Sequence, residues 1–152
     1  MAPPRVQTQA VGRSEVLAQM LVQLGWVPPL ADAPIRPGPY VPKMPDRLVI
    51  VTATPGPGYM MDGAVDQIGF QCRTRGRPSA DDRESYPDAE NLAFELDSLI
   101  YSANALAFPL VVMGTVIVSV WRAGGQPAPM SPDPDDADRY VFTANYVAIV
   151  GV

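Results

Sequence analysis

The chain has 152 residues, 47% of them hydrophobic and 18% charged, a size and balance that suit one folded domain and exclude a disordered polymer. Its formal charge of -5 argues against tight sequence-independent binding to nucleic acid, which depends on Lys and Arg displacing counterions from phosphates. The absence of His removes the commonest general base and transition-metal ligand, and the single cysteine, Cys72, excludes an internal disulfide.

Residues 1–12 show no period and are expected to form a flexible arm. From Ser14 the apolar residues Val16, Leu17, Met20, Leu21 and Leu24 recur at helical spacing; Ser14 is placed to cap this helix and Gly25 to end it. Residues 26–46 carry seven prolines, each fixing φ and removing a backbone donor, so a long loop is predicted there and neither helix nor internal strand. Residues 47–54, RLVIVTAT, read as a buried strand closed by a turn at PGPG, 55–58.

Between 66 and 74, Ile68, Phe70, Cys72 and Thr74 alternate with polar residues and glycine, the period of a strand with one wet face; within it Cys72 is expected to be a buried thiol. After a charged loop, Pro87 suits the first turn of the main helix and Asp88 and Glu90 complement its dipole. Ala89, Leu92, Ala93, Leu96, Leu99 and Ile100 make its apolar stripe. Residues 112–121 and 140–150 are the last two predicted strands, joined by an acidic loop over 122–139. Both have β-branched or aromatic residues on each face, so little of either face is expected to stay open to water once the protein is assembled. The predicted architecture is a single α+β domain: an antiparallel sheet of about four strands, two main helices packed on one side, and long loops.

Motifs for chemistry are sparse. PGPG lacks the lysine and following helix of a phosphate-binding loop. Asp133, Asp135, Asp136 and Asp138 are closely spaced enough to wrap a hard cation, but lack the central Gly and closing Glu of an EF-hand loop; a solvated charged loop is the preferred reading. Glu90 with Glu95, and Glu84 with Asp88, are read as a solvated helix face and not as acid–base pairs. Neither a metal nor a cofactor is expected. Arg73, Arg75 and Arg77 form a short basic run, either a solvated strand end or a set of pairing groups for another subunit. The longest apolar run, 105–118, is broken by Pro109, Gly114 and Thr115 and is too short to span a bilayer. With no signal-like segment ahead of the first helix, a soluble protein made in the cytoplasm and not partnered with a membrane is expected.

The order helix, strand, strand with an Arg-rich end, acidic-started helix, strand, long loop and aromatic closing strand resembles the tail-terminator family of long-tailed bacteriophages, also called tail-completion or minor capsid proteins. The stretches that carry the likeness are QCRTRG at 71–76, DAENLAFEL at 88–96 and RYVFTANYVAIV at 139–150. Residues 26–46 and the acidic loop depart from the plainest pattern of the family. The resemblance implies a virion structural protein and not an enzyme. It would be a homo-oligomeric ring, usually of six subunits, on the head-proximal end of the tail tube, touching the major tail tube protein on one face and a head–tail connector on the other. DNA would pass through its lumen without specific binding, past the acidic loop if that loop faces inward. On that reading the interface candidates are Arg73, Arg75, Arg77, Trp121, Arg122, Tyr40 and Tyr59, with Trp121 equally suited to a plain core. Two other readings are weighed beside it: a stopper or adaptor on the portal side of the same connector, and a small-molecule-binding or enzymatic domain, which would need a pocket with convergent polar groups.

Overall fold

In the computed structural model, two helices pack with a seven-stranded mixed sheet that curls into a half-barrel, an α+β architecture. The structure describes residues 12–26, 33–43, 45–60, 65–78, 85–130 and 139–151, with the backbone alone at 55–60, 65 and 105–106. In chain order the elements are α1 (Arg13–Gln23), β1 (Ile35–Pro37), β2 (Leu48–Met60), β3 (Val65–Arg75), α2 (Ser85–Leu106), β4 (Leu110–Val112), β5 (Thr115–Arg122), β6 (Ala128–Pro129) and β7 (Val141–Gly151). The sheet runs β1-β2-β3-β7-β5-β4, with β6 added on β7.

This exceeds the expected sheet of about four strands, for identifiable reasons. Residues 110–122 form a hairpin instead of one strand: Met113 (φ 50) and Gly114 (φ 82) make a two-residue turn with both φ values positive, which matches the twist of antiparallel strands. Three residues of the proline-rich segment, Ile35–Pro37, pair with β2 as the parallel edge strand β1. An edge strand offers only one side to the ladder, so a proline costs it little. That parallel pairing makes the sheet mixed and not purely antiparallel. PGPG does not end β2 either. The strand runs through it to Met60, and the register with β3 shifts between Thr54 and Gly58, so these residues form an irregularity within the strand.

The alternation in β3 sorts its side chains as expected. Ile68, Phe70 and Cys72 face inward beside Ala148, Tyr146 and Ala144, their register partners on β7, and the Phe70 and Tyr146 rings stack with centroids 5.3 Å apart. Leu17, Met20 and Leu21 from α1 and Leu92, Leu96 and Ile100 from α2 join the same core cluster. Each such buried side chain is worth about 1.5–3 kcal/mol relative to exposure.

Gly25 ends α1 in a positive-φ conformation (122°), but Ser14 does not cap the helix. Gly12 holds the cap position, and the Ser14 hydroxyl accepts a hydrogen bond from the Ala53 amide of β2 at 2.8 Å. Gly76 lets the first turn of α2 close on the end of β3, because a Cβ there would collide with the Ser85 carbonyl and the Ala89 amide. Among the described residues no helix is long and apolar enough to cross a membrane.

Candidate functional site

Alternation along β3 puts Arg73 and Arg75 on the face opposite Cys72 and Thr74, Arg77 lies two residues past the end of the strand, and the environments of the three differ. Arg75 is buried and donates to the carbonyls of Lys43 (3.2 Å), Pro45 (2.6 Å) and Asp46 (2.9 Å), tying down the end of the proline-rich segment. Arg139 reinforces the same turn through the Lys43 carbonyl at 2.6 Å and the Asp46 carboxylate at 2.9 Å. Arg77 is exposed and lies 3.6 Å from Asp88. Arg73 is half-buried and has no hydrogen-bond or ion-pair partner among the described residues. It stands in one cross-strand row with Ile50 and the exposed Arg36.

Asp88 lies in the first turn of α2, as the dipole argument requires, but not on a solvated face. It accepts two hydrogen bonds from Arg47, at 3.0 and 2.9 Å, and one from the Arg77 amide at 2.8 Å. A second carboxylate, Asp97, sits deeper and was not singled out by sequence reasoning. It is 4% exposed and accepts hydrogen bonds from Arg122 Nε at 3.0 Å, from Arg122 Nη2 and from the Tyr146 hydroxyl at 2.8 Å. The Tyr101 ring covers the Arg122 guanidinium at 4.8 Å. The hydrogen bonding of its guanidinium to the Asp97 carboxylate holds the Arg122 pKa above its ordinary value against desolvation. Burial pushes the Tyr146 phenol and the Cys72 thiol well above their usual ranges, and the Asp97 charge adds to both shifts. Neither group is a nucleophile near neutral pH. A signal for Asp97 was present: it falls four residues after Ala93 and three before Ile100, on the apolar stripe itself.

Trp121 and Arg122 part company because consecutive strand residues face opposite ways. Arg122 turns in toward Asp97, whereas Trp121 lies on the outer face with 38% of its surface exposed. Val111, Met113, Val116 and Val118 are exposed along the same hairpin. From Ser98 to Pro132 the chain has one charged residue, Arg122, and Asp97 neutralises it. The outer face of the β4–β5 hairpin is therefore uncharged as well as apolar. Tyr40, 78% exposed, stands just beyond β1. Of Tyr59 the structure describes only the backbone, paired with Asp66 in the β2–β3 ladder. Asp133, Asp135, Asp136 and Asp138 lie outside the described residues, as does the arm over 1–11.

An open cleft of about 480 Å3 between the end of α1 and α2 is lined by Gly25, Trp26, Asn91, Phe94, Glu95, Ser98 and Leu99. Among the described residues, no three His, Cys, Asp or Glu side chains gather into a set that could hold a metal ion. What the engaged arginines and aspartates do is hold loops and helices to the sheet. The chain matches no protein-family model and no curated protein sequence.

Proposed function

We propose that this chain is a structural protein of a long-tailed phage virion, forming a ring that caps the head-proximal end of the tail tube, ends tube polymerisation and receives the head. The observation that carries this reading is the uncharged outer face of the β4–β5 hairpin, where Val111, Val116, Val118 and Trp121 are exposed on a chain whose Arg75 and Arg122 are both engaged internally. A contiguous apolar surface without charge is what a stable protein contact buries at its centre. The order of elements is the second support, with a basic strand end leading into an acidic-started helix and an aromatic closing strand. The function is adhesion: one ring face complements the last ring of tube protein and the other presents a different surface, so growth stops. A net acidic subunit suits a lumen through which DNA must slide.

The test is to mix purified protein with tail tubes from particles unable to make it, imaging tube ends by electron microscopy and scoring head joining. A cap at one end, with heads able to attach, is expected. Bare tubes with protein on portal-bearing heads would move the assignment to the stopper or adaptor, which can use the same apolar face. The cleft beside Trp26 gives the small-molecule reading a foothold. A thermal-shift screen with nucleotides and metals tests it, because a ligand that binds the native state raises the melting temperature.

A further inference from the structure

Among the described residues the arginines are engaged, with two exceptions. Arg13, Arg47, Arg77, Arg122 and Arg139 each lie against an aspartate, and Arg75 is held by backbone carbonyls. The exceptions, Arg36 and Arg73, stand in one cross-strand row on either side of Ile50. Arg36 is exposed and reaches the carbonyl of its neighbour Ile35 at 3.4 Å, whereas Arg73 is half-buried with no partner among the described residues. A half-buried charge of this kind has lost hydration without gaining an acceptor. Helix α2 shows the opposite imbalance. Residues 85–106 hold Asp88, Glu90, Glu95 and Asp97 and no Lys or Arg. Asp88 and Asp97 are taken by Arg47, Arg77 and Arg122, which leaves Glu90 and the exposed Glu95 without a cation among the described residues.

We propose that the Arg36–Arg73 row docks a second copy of this chain, with the outward face of that copy's α2, carrying Glu90 and Glu95, as the occupant. The inference rests on the ring reading above and assigns its subunit contact. Charge complementarity selects the partner, since the row lacks carboxylates and the same chain displays carboxylates that lack cations. Glu95 also lines the open cleft beside Trp26 together with Asn91 and Ser98. A guanidinium arriving there meets an amide oxygen and a hydroxyl in addition to the carboxylate. Placement makes the contact one between copies. Leu92, Leu96 and Ile100 pack α2 on the inner side of the sheet with Phe70 and Cys72, while Arg73, next to Cys72 in β3, lies on the outer side. The outward face of α2 and the outer face of the sheet are therefore opposite surfaces of the molecule. Complementary patches that face opposite ways on one chain meet only between copies, in the heterologous contact from which a ring closes.

The contact is made by side chains and not by strand addition. Pro37 brings no N–H to the β1 edge. Past the end of β4 the Asn104 side chain already occupies Val120 of β5, accepting from its amide at 3.0 Å and donating to its carbonyl. Exposed ion pairs set partner choice and register more than raw affinity, so the association should weaken as salt is added.

Charge reversal tests it. One variant carries Arg36→Glu with Arg73→Glu and the other Glu90→Arg with Glu95→Arg, with circular dichroism confirming that each is folded. Should either fail to fold, the single substitutions Arg36→Glu and Glu95→Arg, both at exposed positions, make the same test. Each variant alone sets like charges across the contact and should self-associate on the order of tenfold more weakly than the unaltered protein in sedimentation equilibrium at low salt. An equimolar mixture should recover the association, because complementary faces then alternate between the two variants. A mixture no more associated than its components, or an unaltered protein that stays monomeric at the highest soluble concentration, overturns the proposal. If reversing the row removes binding to tail tubes or to duplex DNA and leaves self-association intact, the row serves that partner and the proposal falls. If the mixture assembles but tail tubes stay bare, the contact stands and the tail-terminator reading falls. If either variant alone caps tubes as well as the unaltered protein does, the reading stands and the contact falls.

Discussion

Helix α2 is held to the rest of the molecule by two aspartates, and their settings are opposite. Asp88 sits in the first turn, where the helix dipole favours a carboxylate, and its partners Arg47 and Arg77 come from the ends of β2 and β3. Asp97 sits mid-helix on the core face with no help from the dipole, and its partners Arg122 and Tyr146 come from β5 and β7. Both carboxylates are largely buried, so the difference lies in their partners: Asp88 joins two arginines at the end of the helix, one of them exposed, whereas Asp97 also holds a core phenol, and the same residue type carries different stakes along one helix.

Single substitutions can break or sharpen that contrast. Asp97→Ala is expected to cost the most, about 3–5 kcal/mol, because it leaves a guanidinium and a phenol without their shared acceptor. Urea unfolding measures it, and a loss no larger than that of Asp88→Ala would end the contrast. Asp88→Ala should cost about 1–2 kcal/mol, since water reaches the exposed Arg77 and takes over part of the lost acceptor's role. Adding salt should reduce that cost and leave the Asp97 loss nearly unchanged. Tyr146→Phe should cost about 1 kcal/mol, one hydrogen bond with the Arg122 pair still in place.

The alkaline limb separates the two settings further. Tyr146 and Cys72 have ordinary values of 10.0 and 9.0, and both are raised in the folded protein. Above about pH 9 the unfolded chain releases these protons while the native state keeps them, so the native state binds more and stability falls as pH rises. Melting temperature against pH should therefore decline from about pH 9 in the unaltered protein. In Tyr146→Phe the decline above pH 10 should be shallower. A parallel decline in the two proteins would show that the phenol is not held protonated. Last and smallest, Met113→Asn should stabilise by about 0.5–1 kcal/mol, because asparagine accepts positive φ more readily and Asn-Gly suits this hairpin turn.

Much of the fold was legible wherever a pattern ran long. The alternation from Ile68 to Thr74, the helical stripe from Ala89 to Ile100 and the aromatic closing strand all fold as they read, and Gly25 ends α1. What was missed depended on partners distant in sequence. PGPG has every mark of a turn, but pairing with β3 carries β2 through it. Ile35–Pro37 became a strand only because β2 offered an edge. The hairpin turn at Met113 hid because methionine is not a turn residue. At the candidate site, Arg73, Arg75 and Arg77 read as equivalent, yet only contacts to Asp46 and Asp88 distinguish them. Asp97 was overlooked because a polar residue on an apolar stripe is meaningful only once its partner, 25 residues away, is known.

The Ser14 and Asn104 contacts are alike in kind. Each helix lends one polar side chain to the backbone of a strand where its shorter outer neighbour has ended, at Ala53 of β2 past β1 and at Val120 of β5 past β4. This protection exists only while the helices are docked. A substitution that loosens α2, as Asp97→Ala should, then uncovers strand edges that can template pairing between chains. The core-destabilised variants of this protein should accordingly be lost to aggregation during synthesis before they are lost to reversible unfolding, and their yield in cells will fall faster than their measured stability.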